Sequence, residues 1–124
     1  MESRKRILIA DDEPLFLRYY DKLFTRLGYE TICVSDGREA LDKLKELASN
    51  GGLPEYMLTD DLMPRVDGNQ VIESMHKQGL VGRVKVALCT GTGNEDLRKR
   101  IESFGAAFFV KPPVYEEIVS YFRD

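Results

Sequence analysis

Five short apolar segments are spaced along the chain at intervals of roughly 25 residues. The first, residues 7–10, reads Ile-Leu-Ile-Ala and is apolar at every position. A strand that is apolar on both faces is typical of a parallel sheet with helices packed on both sides. We therefore predict five buried strands, at residues 7–10, 31–34, 56–59, 84–89 and 107–110.

The segments between these strands carry the signals of helix ends. Pro14 suits the first position of a helix, because its missing N–H needs no partner there, and Gly28 suits the position after the last turn. Asp36 can cap the second helix, with Glu39 three residues later in the spacing of a capping box. The first helix is predicted to turn one apolar stripe inwards, formed by Phe16, Tyr20, Leu23 and Leu27.

Asp67 and Asn94 are suited to cap the third and fourth helices, and a fifth helix is predicted for residues 114–122. Each predicted strand is thus followed by a helix. Five strand–helix units predict an α/β fold, a doubly wound (βα)5 arrangement in which a five-stranded parallel sheet has helices on both faces. We expect one domain over residues 1–124. Ligands of such folds bind beyond the carboxyl ends of the strands.

Carboxylate, hydroxyl and ammonium groups follow four of the five predicted strands. Asp11 and Asp12 follow the first strand and Asp60 the third, while Thr90 and Lys111 follow the fourth and fifth. Crowded carboxylates repel one another, and a Mg²⁺ ion, which favours carboxylates together with water and phosphoryl oxygens, relieves that repulsion. A carboxylate beside such an ion can attack phosphorus while a lysine and a hydroxyl stabilise the charge on the phosphoryl oxygens.

Each of these residues also has an ordinary structural interpretation. An Asp pair after a strand is commonly a helix cap or part of a solvated loop. A Thr at a strand end is commonly structural, and a Lys before Pro commonly lies on the surface. Their joint placement at four strand ends favours a functional site.

Composition narrows the classes of function. A chain of 124 residues with 43% hydrophobic residues can bury one core. The net charge of −3 and the mixing of acids with bases argue against a nucleic-acid surface, which needs a basic stripe. No segment approaches the length of a membrane span. Cys33 and Cys89 lie in apolar segments and are expected to be free, buried thiols that form no disulfide, which points to the reducing cytoplasm.

Short motifs at the strand ends resemble those of the response-regulator receiver family of two-component signalling, and of its chemotaxis-regulator-like members. The match extends over nearly the whole chain, and each motif lies at the strand end where the family has it. The resemblance implies a flavodoxin-like receiver fold with strand order 2-1-3-4-5. The motifs are Asp11-Asp12, Asp60-x-x-Met63-Pro64-x-x-Asp67-Gly68, Thr90-Gly91 and Lys111-Pro112.

The resemblance also implies a phosphoacceptor and a metal cofactor. Asp60 would take a phosphoryl group from a sensor histidine kinase or a histidine phosphotransferase. Mg²⁺ would be bound by Asp12 and Asp60, by Asp11 largely through a water molecule, and by the backbone carbonyl of Leu62. A domain of this kind is a signalling module rather than an enzyme, although it assists its own Mg²⁺-dependent phosphorylation and dephosphorylation.

A switch is implied as well. Thr90 and Lys111 would contact the phosphoryl oxygens, and the Lys111–Pro112 peptide bond would be cis. Phe108 would turn into the space that Thr90 leaves, although many receivers carry Tyr at this position. The output face would be formed by the fourth helix, the fifth strand and the fifth helix.

Two neighbouring acids, Asp60 and Asp61, compete for the role of acceptor. In the family a proline lies four residues beyond the acceptor, and Pro64 therefore selects Asp60. Because side chains alternate along an extended strand end, we expect Asp61 to point to the other face and to be solvated.

Other functions are open at this point. A degenerate receiver would keep the fold and act as a phosphorylation-independent protein-binding module. A hydrolase of the haloacid dehalogenase type needs a second Asp two residues after the first, where this chain has Leu62. A flavodoxin needs a phosphate-binding loop after the first strand, where this chain has acids. The sequence leaves open the downstream protein target, whether the chain is part of a longer regulator, and whether it is a monomer or a weak dimer.

Overall fold

Strands and helices alternate through the whole of the computed structural model, which describes residues 4–91 and 93–123. The predicted strands 56–59 and 107–110 agree with the structure at both ends, and the ends of the others differ by at most one residue. The elements are β1 (Arg6–Ala10), α1 (Pro14–Arg26), β2 (Glu30–Val34), α2 (Gly37–Ser49), β3 (Tyr56–Thr59), α3 (Gly68–Lys77), β4 (Lys85–Thr90), α4 (Glu95–Ser103), β5 (Ala107–Val110) and α5 (Tyr115–Tyr121).

All five strands are parallel and lie in the order β2-β1-β3-β4-β5. The predicted doubly wound α/β fold and the strand order implied by the family resemblance are both confirmed. Ala10, the last residue of β1, pairs with Val34 on one side and with Thr59 on the other, and Thr90 pairs with Val110. This register brings the carboxyl ends of the strands to one edge of the sheet.

Helices cover both faces of the sheet, each over its own hydrophobic cluster. Alternate residues of β1 point to opposite faces, so that Leu8 belongs to one cluster and Ile9 to the other. The first cluster is completed by α2, α3 and α4, and the second by α1 and α5. Their main helical members are Leu44, Ile72 and Ile101 in the first and Tyr20, Phe24 and Ile118 in the second.

Side-chain caps begin two of the helices at the predicted residues. The Asp36 carboxylate accepts a hydrogen bond from the Glu39 backbone N–H at 2.8 Å, and the Asn94 side chain accepts one from that of Leu97 at 2.7 Å. The Glu39 carboxylate accepts from the backbone N–H of Ser35 at 3.3 Å. In a capping box the backbone N–H of the N-cap residue, here Asp36, would donate to Glu39. The donor is instead the preceding residue, Ser35.

Two burial predictions for residues outside the acidic edge of the sheet are wrong. Leu27 was expected on the inward stripe of α1, but it follows the last residue of that helix and is 40% exposed, whereas Phe24 is fully buried. Cys33 was expected to be buried and is exposed, because β2 is an edge strand whose first four residues are exposed or half-buried. Cys89 is buried and both thiols are free, as predicted.

Within residues 4–91 and 93–123, none of the helices combines the length and the apolar character that crossing a bilayer requires.

Phe24 and Leu27 provide a matched test of the packing of α1. We expect Phe24→Ala to lower the free energy of unfolding by about 3–5 kcal/mol, since it leaves a cavity among buried aromatic rings. Leu27→Ala should cost less than about 1 kcal/mol, because its side chain is largely in water already. Urea unfolding followed by circular dichroism measures both, and equal costs would show that α1 packs differently.

Candidate metal centre

Four strand ends meet at the carboxyl edge of the sheet, and backbone hydrogen bonds fix the residues that follow them. The N–H of Asp60 donates to the carbonyl of Ala10 at 2.8 Å, and the N–H of Lys111 donates to that of Thr90 at 2.9 Å. The ladder of the sheet therefore continues one residue beyond β3 and β5. The positions of these side chains follow from strand register.

Three carboxylates converge here as predicted. Oxygens of Asp11, Asp12 and Asp60 lie within 4.8 Å of one another. Asp11 and Asp60 are buried, at 1% and 6% exposure, while Asp12 is exposed. One oxygen of Asp11 accepts a hydrogen bond from the backbone N–H of Glu13 at 2.9 Å, and its buried Oδ2 accepts none. Three converging carboxylates, two of them buried, fit a hard divalent cation such as Mg²⁺.

The ammonium group of Lys111 lies among these acids. Its side chain is 5% exposed, and Nζ lies 2.9 Å from Asp11 Oδ2, 2.5 Å from Glu13 Oε1 and 3.2 Å from Asp60 Oδ2. The contact with Asp11 is an ion pair at short distance whose direction is unsuited to a hydrogen bond. Nζ also lies 4.2 Å from the centroid of the Phe16 ring, within range of a cation–π contact.

Burial and charge act in opposite directions on these groups. Burial raises the pKa of Asp60, and the nearby Lys111 ammonium only partly offsets this. Burial likewise raises the pKa of Asp11, against the hydrogen bond from the Glu13 backbone and the charge of Lys111. Burial alone would lower the pKa of Lys111, but its contacts with Glu13, Asp11 and Asp60 outweigh burial, and that pKa is raised. The ammonium therefore stays charged and holds the cluster together.

The carboxylate cluster opens to solvent through a shallow depression. Leu62 lies at its rim and is 56% exposed. The backbone carbonyl of Leu62 remains a predicted metal ligand. The depression is lined by Asp12, Glu13, Asp60, Leu62, Thr90 and Gly91.

Asp61 does not lie where it was expected. It is 5% exposed, and its Oδ1 accepts hydrogen bonds from the backbone N–H and the side-chain amide of Asn69, each at 2.9 Å. The prediction of a solvated Asp61 was wrong, because the chain turns directly after β3 and strand alternation no longer applies. The carboxylate of Asp61 instead holds the first turn of α3.

The connection between β3 and α3 is held at both ends. A Cβ atom on Gly68 would lie 1.9 Å from the backbone oxygen of Asp60, so that only glycine fits there. Arg65, whose φ is 70°, places its guanidinium 2.9 Å from Asp36 Oδ2 at the start of α2. The loop after Asp60 is therefore tied to two helices.

The predicted switch residues lie on the opposite side of the site. Thr90 and Phe108 are buried, and the Arg98 guanidinium lies 4.9 Å from the centre of the Phe108 ring. A Cβ on Gly93 would lie 2.9 Å from a methyl group of Val110, so the backbone after β4 packs directly on β5. A cleft between α4, β5 and α5 opens beside these residues. The Lys111–Pro112 peptide bond is cis, as the resemblance implied.

Sequence reasoning assigned no role to two residues that contact the Lys111 ammonium. Glu13 was passed over although it directly follows Asp12, and Phe16 was assigned to the core. The available signal was their spacing, since Glu13 and Phe16 are three residues apart at the start of α1 and so share one side of the helix.

The raised pKa of Asp60 predicts that its charge weakens the metal-free fold. When the folded state raises the pKa of a carboxyl group above its ordinary value of 3.8, the free energy of unfolding falls as pH rises through the folded pKa. In EDTA at pH 7, Asp60→Asn should therefore have a higher melting temperature than the parent and a free energy of unfolding that is larger by about 1 kcal/mol. This difference should shrink towards pH 4. Asp42→Asn, at an exposed position of α2, is the control for thermal unfolding. An unchanged or lowered melting temperature of Asp60→Asn would contradict the prediction.

Comparison with known proteins places this chain in a family. The chain matches the response regulator receiver domain over residues 7–123. It is 30% identical to the probable methanogenesis regulatory protein FilR2 of Methanothrix harundinacea, over 90% of this chain and 75% of that protein. It also spans only 7% of the length of a hybrid signal transduction histidine kinase D of Dictyostelium discoideum and 21% of the Regulator of RpoS of Escherichia coli.

Solved structures agree with this result. A CheY-like receiver domain protein of Methanospirillum hungatei superposes with a TM-score of 0.85 at 25% identity, covering 98% of this chain and 92% of that one. The CheX-CheY-BeF3-Mg²⁺ complex of Borrelia burgdorferi gives a TM-score of 0.81 at 25% identity, covering 94% and 85%. Since the family match covers nearly the whole chain and both site and fold agree with it, the chain belongs to the response regulator receiver domain family.

Proposed function

We propose that this chain is one receiver domain, over residues 1–124, of a two-component phosphorelay. It would take a phosphoryl group onto Asp60 from a sensor histidine kinase or a histidine phosphotransferase, the proteins with which receiver domains interact. The observation that supports this most is the position of the Lys111 ammonium, 3.2 Å from Asp60 Oδ2, in a site where the carboxylates of Asp11 and Asp12 converge with that of Asp60. A signalling module, and not a classical enzyme, fits this arrangement.

The acidic cluster is proposed to hold Mg²⁺, which the family typically binds at acidic residues. Asp11, Asp12, Asp60 and the carbonyl of Leu62 would be its protein ligands. When bound, the ion would supply positive charge beside the acceptor and the phosphoryl oxygens. The Borrelia complex contains BeF3 and Mg²⁺, and the same pair would suit this chain.

The chain's own residues have defined roles in the transfer. An oxygen of Asp60 would form a bond to phosphorus as the bond from phosphorus to the donor histidine nitrogen breaks, and the electron pair of that bond stays with the imidazole. The ammonium of Lys111 and the hydroxyl of Thr90 would stabilise the charge on the phosphoryl oxygens. Because Asp60 is buried, bulk water would reach the reacting carboxylate only through the depression that Leu62 lines.

Phosphorylation is proposed to act on the face formed by α4, β5 and α5. The new group adds about two negative charges, which would draw Thr90 towards it. Because the backbone at Gly93 packs on Val110, a shift of the segment after β4 changes the surroundings of Phe108. The changed face would bind a downstream protein target that the chain does not identify.

An exposed apolar surface beside the site supports a protein phosphodonor. Leu15 is 76% exposed and Tyr19 is 43% exposed, and together with Phe16, Pro112 and Pro113 they line a shallow depression. The Phe16 ring also contacts the Lys111 ammonium. A donor protein bound here would lie next to the acceptor.

No observation favours the alternative of a degenerate, phosphorylation-independent module, since the acids and the lysine that phosphorylation needs lie in place. The cytoplasmic location, the lack of direct nucleic-acid or membrane contact and the monomeric or weakly dimeric state stay predictions.

Labelling by a small phosphodonor tests the proposed function. We expect Mg²⁺-dependent phosphorylation of the parent by acetyl phosphate, detected by intact mass, and its loss in Asp60→Asn. Asp61→Asn should still be labelled, because an asparagine oxygen can accept the same hydrogen bond from the backbone of Asn69. Labelling of Asp60→Asn equal to that of the parent would refute the assignment.

Leu15 tests the surface for the phosphodonor. With a phosphorylated histidine kinase of the source organism, Leu15→Asp should slow transfer by more than about fivefold, the loss expected of an interface residue worth over 1 kcal/mol. Labelling by acetyl phosphate should be unchanged, since that donor needs no protein surface. Leu27→Asp, at the other end of α1, is the control in both assays, and equal losses with both donors would mean that Leu15 acts on the site itself.

A further inference from the structure

The Lys111 ammonium makes all its close polar contacts, as the described residues show them, with acids of this chain. A lysine ammonium has three hydrogen-bond donors and no acceptor, and here three carboxylates face it, those of Asp11, Glu13 and Asp60. A phosphoryl oxygen that contacts Lys111 must therefore compete with these carboxylates for the charge of the ammonium.

Glu13 differs from the other two in exposure. Its side chain is 55% exposed, whereas those of Asp11 and Asp60 are 1% and 7% exposed. Glu13 can therefore turn into water at little cost, while the two buried carboxylates cannot. Its contact with Nζ is also the shortest of the three, at 2.5 Å.

The position of Glu13 in the helix points to the same role. Glu13 is the N-cap residue of α1, yet its side chain makes no capping hydrogen bond. Short polar side chains are preferred at that position because they bond to the first turn. The Glu13 carboxylate instead reaches a residue that lies 98 positions away in the sequence.

Resting on the proposed function, we propose that Glu13 is a positioning residue that holds the Lys111 ammonium in the unphosphorylated state and competes with the phosphoryl group for it. Release of Glu13 would accompany phosphorylation, and the Phe16 ring, 4.2 Å from Nζ, would keep the ammonium over the site.

Beryllofluoride, an analogue of the phosphoryl group, provides the equilibrium test. At saturating Mg²⁺, titration calorimetry should show that Glu13→Gln binds beryllofluoride about two- to fivefold more tightly than the parent, the range expected for loss of a partly exposed ion pair. Glu46→Gln removes the same charge from an exposed position late in α2 and should bind as the parent does.

Two further measurements test whether Glu13 acts through Lys111. In a Lys111→Gln background, the change at Glu13 should alter beryllofluoride affinity by less than about 1.5-fold, since coupled residues lose their effect when the partner is removed. In the metal-free protein, Glu13→Gln should shift the ¹⁵N resonance of Lys111 Nζ, and Glu46→Gln should leave it in place.

The outcomes separate this inference from the proposed function. Equal or weaker binding by Glu13→Gln, or an effect that persists without Lys111, overturns the role of Glu13 alone. Failure of the parent to bind beryllofluoride, or equal binding by Asp60→Asn, overturns the proposed function and the inference with it.

Discussion

The burial of two carboxylates beside a single ammonium is the constraint on which the site depends. A charge taken out of water is costly unless an opposite charge lies close by. Asp11, Asp60 and Lys111 follow three different strands, so the cluster exists only if those strands are parallel and in register. The apolar residues of β1 and β3 supply that register by packing between two layers of helices.

Much of this arrangement could be predicted because it is encoded locally. The continuous apolar run of β1 indicates a strand buried on both faces, and Asn94 carries the signal of a helix cap in its own side chain. The strand order could not be derived in this way, since it depends on which strands pair, and it came from the family resemblance. Asp61 was misjudged because strand alternation was extended into a turn.

The contacts of Lys111 with Glu13 and Phe16 could not be predicted from local sequence patterns, for a different reason. They join residues almost a hundred positions apart, and both partners have ordinary roles in their own segment, one as a helix start and the other as a core aromatic. Only the path of β5 past the start of α1 brings them together. Long-range polar contacts of this kind are set by the completed fold and leave no periodicity in the sequence.

The two sides of Asp60 differ in how tightly they are packed. On one side, Gly68 packs against the backbone of Asp60, and Arg65 ties the following loop to Asp36. On the other side, a Cβ atom at Gly91 would have no neighbour within 4 Å, so the space beside this residue is open. A chemical change at Asp60 would meet less resistance on the side that is less tightly packed. The proposed phosphorylation would thus have a direction, because a displacement at Asp60 would pass towards β5 more easily than towards α2.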